Sequence, residues 1–122
     1  MEERSDLRKR TYLFSLEMIS FCRTLPNERI YWSINDQLFR AATSVGANII
    51  EAKASSSRKD FIRFYDIALK SGNEAIYWLS LLRDGELQTD KDRVEKLLSE
   101  LAEICKMLGK SLITLKEKSS DI

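Results

Sequence analysis

Seven polar residues fall at helical spacing in the middle third of the chain: Gln37, Arg40, Ser44, Asn48 and Glu51, then Ser71 and Glu74. The first five step by three or four. They therefore share one side of a helix, beside an apolar stripe of Ile34, Leu38, Ala41, Val45, Ile49 and Ala52. Groups drawn part-way into a core must find hydrogen-bond partners or cost about 1–3 kcal/mol each. The chemistry expected of this set is hydrogen bonding, with Arg40 meeting Glu51 or Glu74 and Asn48 and Gln37 as bridges. Such a network fixes register and partner choice, half as an intramolecular clamp and half as a subunit interface. Glu51 and Glu74 are the only carboxylates in the set. A catalytic pair is open to them, but structural hydrogen bonds are the expectation.

What is missing narrows the chemistry further. The chain has no histidine. That removes Ser–His and Cys–His nucleophile pairs, Glu-x-x-His ligation of a di-iron centre, and the Arg–His site of small helical HEPN ribonucleases. Cys22 and Cys105 alone cannot build a structural zinc site. Both fall on apolar helix faces and read as reduced core thiols rather than a disulfide. Val45-Gly46-Ala47 lies inside a helix and is no phosphate loop. The expectation is a protein without enzymatic activity, cofactor or metal.

Charge is the remaining functional signal. The net charge is +1, so the total does not select nucleic acid. Its distribution is uneven. Between Ala52 and Gly72, Lys53, Arg58, Lys59, Arg63 and Lys70 face only Asp60 and Asp66, whereas Asp84 to Ile122 carries nine acids and seven bases. Lys59, Arg63 and Lys70 share a helix face, with Asp66 placed to pair with Arg63 or Lys70. Arg4, Arg8, Lys9 and Arg10 form a second cluster near the N-terminus. No aromatic–basic stacking platform is evident. Among the large rings Tyr31, Trp32, Tyr65, Tyr77 and Trp78, Trp32 and Tyr77 fall off the apolar stripes; boundary packing is the plain reading of them and a subunit contact the alternative.

Four helices must position these groups. The 122 residues suit one domain with a modest core, and one proline with four glycines favours helices over a turn-rich sheet. The periodicities predict helices over about 6–24, 28–54, 58–84 and 90–117. Leu7, Phe14, Met18, Phe21 and Leu25 mark the first, which Pro26 ends; Asn27 is the expected cap of the second. Ser57 and Asp60 approximate a capping box for the third, whose seam is Phe61, Phe64, Ala68, Ser71, Ala75, Trp78 and Leu82. Thr89 or Asp90 caps the fourth, with Lys116 to Ile122 expected to fray. Short connections between long helices predict an all-α, antiparallel up-down-up-down four-helix bundle spanning 1–122. No apolar run reaches membrane-spanning length, and MEERSDLRKRTY lacks a signal-peptide core, so a cytoplasmic location without membrane contact is expected.

The segment QLFRAATSVGANIIEA, followed by SSSRKDFIRFYDIALKSGNE, resembles the signature of the 23S rRNA intervening-sequence proteins. The match falls on Gln37, Arg40, Ala41, Ser44, Asn48, Ile49 and Glu51, then on Arg58, Phe61, Ala68, Ser71 and Glu74. Ala52 stands where the pattern has glycine, which allows the second helix to run slightly longer. The resemblance implies a four-helix bundle that assembles as a ring, typically a pentamer. It also implies members encoded in insertions within large-subunit ribosomal RNA genes, and related bundles that assist reverse transcriptases. Two functions follow as expectations. One is a homo-oligomeric accessory protein that binds RNA or structured DNA through a basic surface repeated around the ring. The other is a protein-interaction scaffold with no nucleic-acid role.

Overall fold

Helix propensity and capping divide the chain into four segments in the computed structural model: α1 (Glu2–Cys22), α2 (Arg29–Ala54), α3 (Arg58–Asp84) and α4 (Lys91–Ser120). Residues 2–120 are described, with side chains from 6 to 118. Arg4 of the N-terminal basic cluster therefore lies outside the described side chains.

The ends explain the boundaries. α1 stops at Cys22, two residues before the expected end, as the Thr24 hydroxyl and amide both turn back to the Phe21 carbonyl. Asn27 does not cap α2. Its Oδ1 accepts from the Trp32 indole at 2.6 Å, and Glu28 takes the capping position without a side-chain bond. Ser57 caps α3 as expected, its hydroxyl accepting from the Asp60 amide at 3.1 Å. Of the two candidates for α4, Asp90 accepts from the Arg93 amide at 3.1 Å. Lys91 covers the other end of the same connection, its ammonium donating to the carbonyls of Leu82, Arg83 and Gly85. A cation on the last carbonyls of α3 is favoured by their partial negative charge. α4 continues in helix to Ser120, beyond the expected fray.

Each helix packs on its two neighbours around the ring α1–α2–α3–α4, α4 closes on α1, and among the described residues the backbones of the diagonal pairs stand further apart. This is the up-down-up-down bundle. Leu38, Val45 and Ile49 of α2, Leu79 and Leu82 of α3, and Leu101, Ile104 and Leu108 of α4 are wholly buried. The α2–α3 seam is the most extensive. Ala41, Ala68 and Ala75 are buried on these helices, and small side chains let helix axes approach; Gly72 is buried mainly against Cys105 and Leu101 of α4. Two of the five large rings belong to the core. Tyr65 is fully buried with its ring centre 4.6 Å from that of Phe61, and Tyr31 is buried with its hydroxyl accepting from the Gln88 amide at 2.7 Å. Trp32 and Tyr77 do stand outside, 56% and 57% exposed.

Candidate nucleic-acid interface

The polar set divides once it is folded. Antiparallel packing puts Ser44 of α2 opposite Ser71 of α3, whose hydroxyl donates to Ser44 Oγ at 3.0 Å. Asn48 Nδ2, one turn along α2, donates to Ser44 Oγ at 2.9 Å and to the Ser44 carbonyl at 2.8 Å. This half-buried knot is the part of the predicted network that forms. The Arg40 clamp does not form, because Gln37, Arg40 and Glu51 lie further around α2 and point to solvent. Arg40 pairs instead with Asp36 one turn back, at 3.3 Å. Glu74 is exposed as well and accepts from the Trp78 indole at 2.9 Å. Glu51 and Glu74 thus form no buried carboxylate pair.

The basic residues converge more than their sequence positions imply. An antiparallel bundle brings the start of α1, the end of α2, the start of α3 and the end of α4 to one end. Segments 6–12, 46–69 and 103–118, which form that end, carry eleven Lys and Arg against six Asp and Glu. Segments 13–45 and 70–102, at the other, carry eight against ten. The bundle is therefore electrically polar along its axis. Lys106, Lys110 and Lys118 of α4 escape notice in the sequence, where that helix shows only a near-balanced total. The signal is present in the helix order alone.

Within the basic end the cations differ in freedom. Arg8, Lys9, Lys53, Arg58 and Lys59 are exposed, and no ion pair holds them among the described residues; the same is true of Lys70 near the midplane. Arg10 is committed elsewhere, its guanidinium gripping Glu100 of α4 through two bonds of 2.9 and 2.6 Å. Arg63 pairs with Asp60 at 3.7 Å and lies 4.5 Å from the centre of the Phe64 ring. Asp66 pairs with neither Arg63 nor Lys70; its partner is Lys116 of α4, at 3.2 Å. Asp66 sits on the α4 side of α3, away from the line of Lys59, Arg63 and Lys70. At the α2–α3 joint, Lys53, Ser55, Ser56 and Arg58 border an open depression of ≈ 380 Å³.

Residues 3–110 match the family described as 23S rRNA-intervening sequence protein. The chain belongs to that family. A solved structure described as a protein of unknown function from the S23 ribosomal protein family of Bacteroides thetaiotaomicron VPI-5482 superposes with a TM-score of 0.80 at 32% identity. The alignment covers 90% of this chain and 97% of that one. No curated protein matches.

In this intervening-sequence family member the thiols are free and quiet. Burial pushes the Cys22 thiol up to about 11 and raises that of Cys105 as well, so neither is an activated nucleophile near neutral pH. No group of three or more His, Cys, Asp or Glu gathers to hold a metal ion among the described residues. No helix is long and apolar enough to cross a membrane. The other notable surface is the groove between α1 and α2. Tyr12 and Ile50 line one depression there and Ile19, Trp32 and Phe39 a second, with Leu16 exposed on α1 as well, each 39–66% exposed. Exposed apolar side chains gathered in this way mark an interaction surface.

Proposed function

We propose that this protein is a non-enzymatic nucleic-acid-binding accessory bundle of the cytoplasm, which assembles with copies of itself and presents its basic end to RNA. The charge separation along the axis carries the reading: eleven Lys and Arg against six Asp and Glu at one end, eight against ten at the other. Lys53, Arg58 and Lys59 have no ion pair there among the described residues, so binding phosphate breaks none of the contacts described. Each phosphate neutralised releases counterions, which makes such binding strong at low salt. A ring, of five copies as the family resemblance implies, repeats the weak surface of one subunit and multiplies its affinity. The exposed apolar side chains Leu16, Ile19, Trp32 and Phe39 supply a surface for self-association. The same side chains favour a second reading, a protein-interaction scaffold that binds no RNA.

Fluorescence anisotropy with hairpin and unstructured RNA at several salt concentrations tests the choice. The RNA reading expects log K to fall linearly with log salt. It also expects Lys59→Gln, Arg63→Gln and Lys70→Gln together to weaken binding without changing the melting temperature. No binding even at low salt would move the function to the scaffold.

A further inference from the structure

The basic end contains the aromatic–basic platform that the sequence alone did not reveal. Tyr12 on α1 and Ile50 on α2 are 66% and 51% exposed, and they wall a groove of ≈ 680 Å³. Its floor is Ser15, Gly46 and Ala47, so no bulky side chain fills the space between the walls. Thr11, beneath it, donates its hydroxyl to the carbonyls of Leu7 and Arg8. Arg8 and Lys9 line the same groove, both exposed, and among the described residues no carboxylate does. Neither cation has an ion pair among the described residues, whereas the adjacent Arg10 turns away to Glu100 on α4. The groove thus offers a flat ring, a floor of small residues and, within about one helical turn of the ring, two positive charges without an ion pair among the described residues.

We propose that this groove seats an unstacked nucleotide of a single-stranded segment. The base lies on Tyr12 against Ile50, and the flanking phosphates lie on Arg8 and Lys9. The inference rests on the nucleic-acid reading above and names the form of nucleic acid it takes. Every base has a π-face, and the floor carries few groups that could read base edges. Recognition here therefore favours single strands over duplexes with little sequence preference. An apolar occupant alone would leave Arg8 and Lys9 unused, and an acidic peptide would leave Tyr12 without a planar partner.

The test compares a labelled single-stranded oligouridylate with a perfect RNA duplex, each titrated with wild-type protein and the variants Tyr12→Ala and Tyr12→Phe. Circular dichroism confirms the fold of each variant. The expected result is tighter binding of the single strand and a loss on the order of tenfold for Tyr12→Ala. Tyr12→Phe retains the ring and should bind like wild type. Arg8→Gln with Lys9→Gln should lower the salt slope, which Tyr12→Ala leaves unchanged. Equal affinity of Tyr12→Ala and wild type for the single strand would overturn the groove assignment. If the Lys53→Gln, Arg58→Gln, Lys59→Gln variant still lost affinity in that case, the RNA reading would stand alone. A Tyr12→Ala protein of altered mass in sedimentation, with unaltered RNA affinity, would also overturn it and make the groove a contact between copies. Absence of RNA binding by the wild type would remove both readings.

Discussion

The two outer seams that α2 makes are built in opposite ways. Towards α3, small buried residues draw the helices together, and Ser71, Ser44 and Asn48 form a chain of hydrogen bonds across and along the seam. Towards α1, two depressions open along the seam, and Tyr12, Leu16, Ile19, Trp32, Phe39 and Ile50 are exposed on the two helices. Packing density and polar satisfaction specify structure on the first side. On the second, large apolar side chains stay exposed. All twelve matched positions of the family signature lie on α2 and α3.

Two glycines give the largest effect and one of opposite sign. A Cβ at Gly72, on the buried side of α3, would stand 2.5 Å from Cys105 Sγ and 3.8 Å from Leu101 of α4, and 3.8 Å from Val45 of α2. Gly72→Val should cost about 1–3 kcal/mol in chemical denaturation, with part restored by Cys105→Ala. Ser44→Ala removes the acceptor shared by Ser71 and Asn48, and should cost about 1 kcal/mol. The opposite sign is expected across the helix. A Cβ at Gly46 meets Thr11 and Ser15 at ordinary contact distances of 3.5–3.6 Å. Gly46→Ala should therefore raise stability by about 0.5–1 kcal/mol through helix propensity. Glu51→Ala, which the expected clamp made costly, should change subunit stability by less than about 0.5 kcal/mol, because Glu51 is exposed. A larger destabilisation, seen with a fall in sedimentation mass, would show that Glu51 acts between subunits.

Much of the fold was legible because periodicity reports burial directly. The stripe Leu38, Ala41, Val45, Ile49 and Ala52 is buried throughout, as is the α4 seam from Val94 to Leu115. Helix ends were harder, since local hydrogen bonds compete. Asn27 is a good cap by type, but the Trp32 indole takes its oxygen. Charge partners were the least legible. Arg40 and Asp66 each had a plausible partner by spacing, yet exposed side chains are long enough to choose others, and Asp36 and Lys116 were nearer. The buried side of α3 is wider than the expected seam and takes in Tyr65, Gly72 and Leu79. The platform at Tyr12 was hidden for another reason: its parts come from two helices, and only the fold brings Ile50 and Gly46 beside Tyr12.

The central claim is that one end of the bundle, and not its surface at large, meets nucleic acid. Salt-dependent RNA titration of two matched variants tests it directly. Lys53→Gln, Arg58→Gln and Lys59→Gln remove three charges from the basic end; Arg23→Gln, Arg29→Gln and Lys96→Gln remove three from the other. All six residues are exposed. The account predicts that the first variant binds RNA more weakly and that its log–log salt slope becomes shallower, by about 0.7 for each single-strand phosphate it no longer neutralises. It predicts that the second binds as the wild type does. Equal weakening of both would contradict it, because binding would then follow total charge rather than a site.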